Sequence, residues 1–213
     1  DRSGRSFPET RTMSASFVRD ALLEAFDRIG RAAVQAGTKL QIAVYGGSAL
    51  MLASNFRSAT EDVDVSKLDL PLPDWLARAV AEIARENQWR EDWFNDGVVF
   101  HLSSLADSAG DHLEFGTFPR DGKPVGLAVS VPTAEYLLAL KLKAFRIMDP
   151  LRGETERLDI LNLMHVVGIS TADGAIALLG RYFPLSAASA EKQRFLLKHM
   201  SKEGAADAPK YPR

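Results

Sequence analysis

Apolar residues recur along the first ordered stretch at the spacing of a helix. Phe17, Leu22, Ala25, Ile29, Ala32 and Ala33 share one face over residues 16–36, and Gly37 follows as a stop. A short β-rich run, Leu40 to Tyr45, then ends abruptly at Gly46-Gly47, and Ser48 to Ala53 reads as a short apolar helix. From Glu61 to Ser66 carboxylates alternate with valines, the period of a strand. Pro73-Asp74-Trp75 opens an amphipathic helix with Leu76, Val80, Ile83 and Ala84 inward. Three further strands are predicted at Val98–Leu102, His112–Phe118 and Val125–Val131, with Asp121-Gly122 turning the chain between the last two. From Thr133 to about Met200 the pattern is helical, broken near Asp149-Pro150, Gly168 and Pro184.

This order predicts an α+β fold: a mixed β-sheet flanked by helices over residues 14–132, with a C-terminal helical bundle over 133–201 packed on it. The charged, Gly/Ser/Pro-punctuated residues 1–13 and the polar stretch Lys202 to Arg213 read as flexible ends. The chain has 213 residues, 46% of them hydrophobic and 25% charged, enough for a sizeable core. A net charge of -2 supplies no global basic field, so a nucleic-acid partner would need a local patch. There are no cysteines, which excludes disulfides and thiolate metal sites and fits a reducing, cytoplasmic setting. No apolar run approaches the roughly 20 residues that span a bilayer, so no membrane is expected as a partner.

The candidate chemistry lies at two places in the first half. On a strand, Asp62 and Asp64 point to one face with Cα atoms about 6.6–6.8 Å apart, while Val63 and Val65 face the core. Adjacent carboxylates repel unless a cation neutralises them, and magnesium favours such oxygen ligands together with substrate phosphates. Ordinary exposed acids would produce the same pattern. Sixteen residues earlier, Gly46-Gly47-Ser48 sits at a strand-to-helix junction. Its glycines permit positive φ and close approach by a ligand, and the helix N-terminus is a ready anion site. Ser48 either donates its hydroxyl to a phosphate or caps the helix.

Taken together, Val44-Tyr-Gly-Gly-Ser-Ala-Leu50 and Arg57-Ser-Ala-Thr60-Glu-Asp62-Val-Asp64-Val resemble the signature of the polymerase-β-type nucleotidyltransferase superfamily. The Arg-x-x-Thr-x-Asp-x-Asp form is similar to the toxin-type, AbiEii-like members of bacterial toxin–antitoxin pairs. A second block supports this resemblance. The helix from Thr133 surrounds Lys141 with Leu137, Leu138, Ala144 and Phe145, all apolar. A lysine so placed either snorkels outward or serves an anion. In the toxin-type enzymes a similar Lys…Arg helix precedes an Asp on the next helix. The matching residues here are Lys141, Arg146 (one position off a strict three-residue spacing) and Asp159.

The resemblance implies Mg2+ held by Asp62 and Asp64, and a nucleoside triphosphate held by Gly46, Gly47, Ser48, Arg57, Lys141 and Arg146. Asp159 then orients a basic side chain or the acceptor, unless it only pairs two helices. Superfamily members place one more acid on a later core strand. Glu114, between Leu113 and Phe115, fits that pattern; Asp111 is the alternative, though it also fits a turn cap. The implied reaction moves a nucleoside monophosphate onto a macromolecular acceptor, a tRNA or a protein hydroxyl, with an antitoxin protein as a further partner. A nucleotidyltransferase fold that binds without catalysis is the alternative, and an antibiotic-modifying type of transferase a lesser one. Four histidines show no ligand-like spacing, and Trp75, Trp89 and Trp93 read as core, with base stacking by Trp93 as the other option.

Overall fold

Buried apolar positions fix the first helix to one side of the sheet. In a computed structural model that describes residues 16–68, 71–122 and 124–213, a two-residue strand β1 (Phe17–Val18) leads into α1 (Arg19–Gln35). Leu22, Phe26, Ile29 and Ala33 of α1 are fully buried, and Gly37, at φ +68°, ends the turn that follows. The chain continues through β2 (Leu40–Tyr45), α2 (Gly46–Ala53), β3 (Ala59–Thr60), β4 (Val63–Ser66) and α3 (Asp74–Asn87). It then forms β5 (Phe94–Asn95), a 3-10 turn at Gly97–His101, β6 (His112–Phe118) and β7 (Leu127–Pro132). The C-terminal third comprises α4 (Ala134–Ala144), a 3-10 turn at Arg146–Met148, α5 (Gly153–Val166), α6 (Ala172–Tyr182), α7 (Pro184–Ala188) and α8 (Glu191–His199).

The fold is α+β. Five strands make a mixed sheet in the order β5-β4-β2-β7-β6, and β1 pairs with β3 in a separate ribbon. Strand β2 runs antiparallel to β4, with Tyr45 opposite Asp64, and parallel to β7. Helices α1 and α3 pack together, and α1 lies against β6 and β7. Helix α4 packs on β7 and carries α5 and α6. Leu137, Leu138 and Leu142 of α4 join the same buried cluster as Ile42, Val44, Val63 and Val65, so sheet and C-terminal helices share one core. No helix among the described residues is long and apolar enough to cross a membrane.

Three expectations change. Residues Val98–Leu102 were expected to extend the sheet, but the edge beside β4 is occupied by Phe94–Asn95 instead, paired with Val63 and Asp64. The Asn95 side-chain oxygen accepts the Gly97 N–H at 2.9 Å. That turn diverts the chain from the sheet edge into the 3-10 segment, where Phe100 is left 87% exposed. The segment 202–213 is not a frayed end. Tyr211 is buried and donates its hydroxyl to the Pro132 carbonyl at 2.6 Å. Asn55 bonds both Ala208 O and Lys210 N, Asn162 accepts from Ala206 N, and Arg157 donates to the carbonyls of Ser201 and Glu203. Burial of one aromatic and satisfied backbone groups hold this polar stretch in place. Trp93, finally, has no exposed surface and donates its indole N–H to Val80 O, which rules out base stacking. The proposed flexible leader, residues 1–13, lies outside the described residues.

Candidate functional site

At the C-terminal end of β2 the chain must turn sharply into α2, and Gly46 makes the turn at φ +65°. A Cβ on Gly46 would lie 3.0 Å from Asp64 Oδ2, and one on Gly47 would lie 3.0 Å from Thr60 Oγ1 and 3.1 Å from an Arg57 terminal nitrogen. Both glycines are therefore needed for close approach, and Gly46 also for its backbone conformation. Gly46→Ala is expected to destabilise the protein by about 1–3 kcal/mol through left-handed strain. It is also expected to displace the Asp64 carboxylate. Chemical denaturation measures the first effect, and the carbon-13 NMR shift of the Asp64 carboxyl group the second.

Asp64 lies on β4, whereas Asp62 falls just before the strand begins and not on it as the alternation predicts. Val63 and Val65 have no exposed surface, and both aspartates line a cleft of about 720 Å3. Burial first, and then the neighbouring Asp62 carboxylate, push the Asp64 carboxyl above the usual carboxylate range. A hydrogen bond from Asn95 and the positive charges of Arg146 and Arg152 partly offset that rise. The wall formed by the end of α4, the second 3-10 turn and the start of α5 carries Lys143, Arg146 and Arg152. Glu61, Gly46, Gly47, Arg57, Thr60 and His101 also line the cleft. Acids thus meet cations within one space of the size that holds a nucleotide-sized molecule.

Lys141 neither snorkels nor reaches out freely. It is 4% exposed, and its ammonium lies 3.2 Å from each Glu156 carboxylate oxygen and 2.9 Å from Asp159 Oδ2. The same Asp159 oxygen accepts from Arg57 Nη1 at 2.9 Å, while Arg146 reaches Glu156 at 3.2 Å. Asp159 therefore orients two basic side chains and ties α5 to the loop after α2. Arg57 also donates its Nε–H to Ala59 O, so its guanidinium is held over Gly47 from two sides. Through this network Lys141 shapes the cleft wall. The more open cations for an anion there are Arg146, with 44% of its side chain exposed, and the exposed Arg152.

Two assigned residues do not have the expected role. The Ser48 hydroxyl is buried and donates to Tyr45 O at 2.8 Å, so it serves the turn and not a phosphate. Glu114 is exposed on edge strand β6, separated from β4 by β7 and β2, and does not line the cleft. Asp111 is no replacement, since it accepts from Tyr182 Oη at 2.6 Å and Asp107 N at 2.7 Å in a turn. Among the described residues no group of three His, Cys, Asp or Glu side chains converges as a metal cage.

Asn95, Arg152 and Glu156 were not singled out from sequence. Glu156 had a readable signal, three residues before Asp159 on one helix face. Asn95 had none, because a two-residue strand leaves no periodicity. Comparisons with protein-family models, with curated proteins and with solved structures found no match.

Proposed function

We propose that the protein is a magnesium-dependent nucleotidyltransferase that moves a nucleoside monophosphate from a nucleoside triphosphate to an acceptor hydroxyl. The observation that carries this reading is the meeting of Asp62 and Asp64 with the Gly46-Gly47 turn and a cationic wall in one cleft. Two carboxylates, one of them desolvated and repelled by the other, suit a hard cation that brings phosphate and water oxygens as its remaining ligands. Asp62 and Asp64 would hold it, and when bound it supplies charge to polarise the phosphate and stabilise the leaving oxygen.

The remaining work falls to the chain itself. Close approach at Gly47 lets phosphate oxygens reach backbone N–H groups at the start of α2, with the Arg57 guanidinium beside them. Arg146 and Arg152 face the acids from the other wall and balance the triphosphate charge. The acceptor hydroxyl passes its proton to water and forms a bond to the α-phosphorus as the bond from that phosphorus to the bridging β-phosphate oxygen breaks. Pyrophosphate leaves. Following the sequence resemblance, the acceptor class is a tRNA or a protein, and a toxin held in check by an antitoxin is the biological setting.

Calorimetric titration with each nucleoside triphosphate tests the binding half of this reading. Nucleotide is expected to bind with magnesium present, and its affinity to fall at least about 10-fold without the metal or in Asp64→Asn. Metal-independent binding of equal strength in both proteins would refute it. Among the described residues no third acid converges with Asp62 and Asp64 as a metal cage, which favours one other reading, a module that binds nucleotide without transferring it. Tight metal-dependent binding with no pyrophosphate release across acceptor pools would select that reading.

A further inference from the structure

A second cavity, of about 570 Å3, opens where the start of α1, the loop after α2 and the segment 202–213 meet. Arg19, Arg57 and Arg213 line it, one from each, and Asp20 is its one acid among the described residues. Arg57 lines the first cleft as well, so the two spaces share it as a wall. Exposed Val18 and half-buried Phe56 add an apolar surface beside the arginines.

Two of these arginines cap the end of α2. Arg19 donates its Nε–H to Leu52 O at 3.1 Å, and the Arg213 backbone N–H donates to Ala53 O at 2.8 Å. Carbonyls in the last turn of a helix have no partner within it, so the cap accounts for both contacts. It does not account for the guanidinium of Arg213 or the terminal nitrogens of Arg19. Arg57 is paired with Asp159 and Arg120 with Asp27, but among the described residues no salt bridge involves Arg19 or Arg213. The Phe115 ring, 5.8 Å from the Arg19 guanidinium carbon, helps to hold that side chain in place. Burial first, and then the charge of Arg213, hold the Arg19 guanidinium below its usual range. Asp20 opposes this with a smaller effect, and Arg120 adds to the repulsion. Asp20 therefore leaves the cavity positive.

We propose that this cavity is a second anion site, in which Arg19 and Arg213 bind the phosphate of a nucleotide. A guanidinium fork matches phosphate oxygens, and a shared anion turns the repulsion between two arginines into attraction. Val18 and Phe56 offer the rest of the nucleotide an apolar face. On a chain of net charge -2, a local cluster of this kind is what a phosphate-bearing ligand requires. The ligand is a free mononucleotide or one unit of a single-stranded chain, since both present the same group. The site needs neither a metal nor Asp62 and Asp64.

Calorimetric titration of the whole chain with a single-stranded RNA hexanucleotide and, separately, with adenosine monophosphate tests this. Both are titrated at low salt with a chelator present, because the first cleft is expected to need magnesium for nucleotide. At least one probe is expected to bind the wild type, and to bind Arg19→Gln and Arg213→Glu about 10-fold more weakly. A hexanucleotide at least about 10-fold tighter than the monophosphate identifies a chain, and its salt slope should fall by about 0.7 per arginine lost. Comparable affinities identify the free nucleotide. Arg213→Glu changes an exposed side chain and keeps the backbone cap, and thermal melts establish that both variants fold. Failure of both probes to bind overturns the inference, as does affinity unchanged in either variant. Triphosphate with magnesium is expected to bind both variants as it does the wild type. If it does so while neither probe binds, only the second site falls. If a probe binds through Arg19 and Arg213 but no triphosphate binds with magnesium, the second site stands and the reading of the first cleft falls.

Discussion

Replacing Asp64 with asparagine is expected to abolish nucleotide transfer, by at least about 100-fold, and yet to raise the melting temperature of the metal-free protein at pH 8. The two effects have one cause. Burial and the adjacent Asp62 carboxylate push the Asp64 carboxyl upward, so the folded chain binds a proton there more tightly than the unfolded chain does. Ionised Asp64 therefore costs stability at neutral and alkaline pH. That cost fades as the pH falls through the raised folded value and vanishes below the ordinary carboxylate range. Asparagine removes it. Thermal melts of the two proteins at pH 8 and near pH 4 test this directly. The variant's advantage should be larger at the higher pH. A variant less stable than wild type at pH 8 would show that Asp64 is held by attractive contacts, and not strained in readiness for a cation.

Removing Glu156 is expected to have the opposite character, a large loss of stability of about 3 kcal/mol or more. Glu156 and Asp159 are the two carboxylates against which Lys141, Arg57 and Arg146 are set. With Glu156→Ala, Lys141 is left in the core with only Asp159, which it shares with Arg57, and Arg146 loses its partner. Desolvation makes such an imbalance expensive, since a buried charge without a partner cannot recover its hydration. Urea denaturation of Glu156→Ala gives the loss. The double variant Lys141→Met with Glu156→Leu then separates charge imbalance from lost packing. It should be the more stable of the two variants, because it leaves Asp159 paired with Arg57 and fills the space with apolar atoms. If the double variant is the less stable, the network contributes attraction beyond the satisfaction of its own charges.

What the sequence revealed followed from periodicity. The helix of residues 16–36, the run into Gly46-Gly47 and the valine alternation at Val63 and Val65 each bury one regular face, and the structure places them close to where the pattern did. The α+β architecture was legible for the same reason. Residues whose role depends on a partner distant in sequence were not. The apolar neighbours of Lys141 showed that it would be special, but not that α5 would bring two carboxylates to it. Ser48 carried the right residue type in the right place, and the local geometry of the turn took its hydroxyl. The search for a third acid along β6 failed because a strand pattern names a face and not a neighbour. The strands actually beside Asp64 are β2, which sets Tyr45 opposite it, and the two-residue β5, which carries an amide.

Transfer of label from nucleoside triphosphates tests the central claim most directly. Wild-type protein, magnesium, and total RNA or total protein as acceptor are incubated with each triphosphate labelled at either the α- or the γ-phosphate. Label from the α-position is expected in the acceptor pool and label from the γ-position in pyrophosphate, with both lost in Asp64→Asn. Retention of γ-label on an acceptor, or α-label incorporation that is unchanged in Asp64→Asn, would contradict the account.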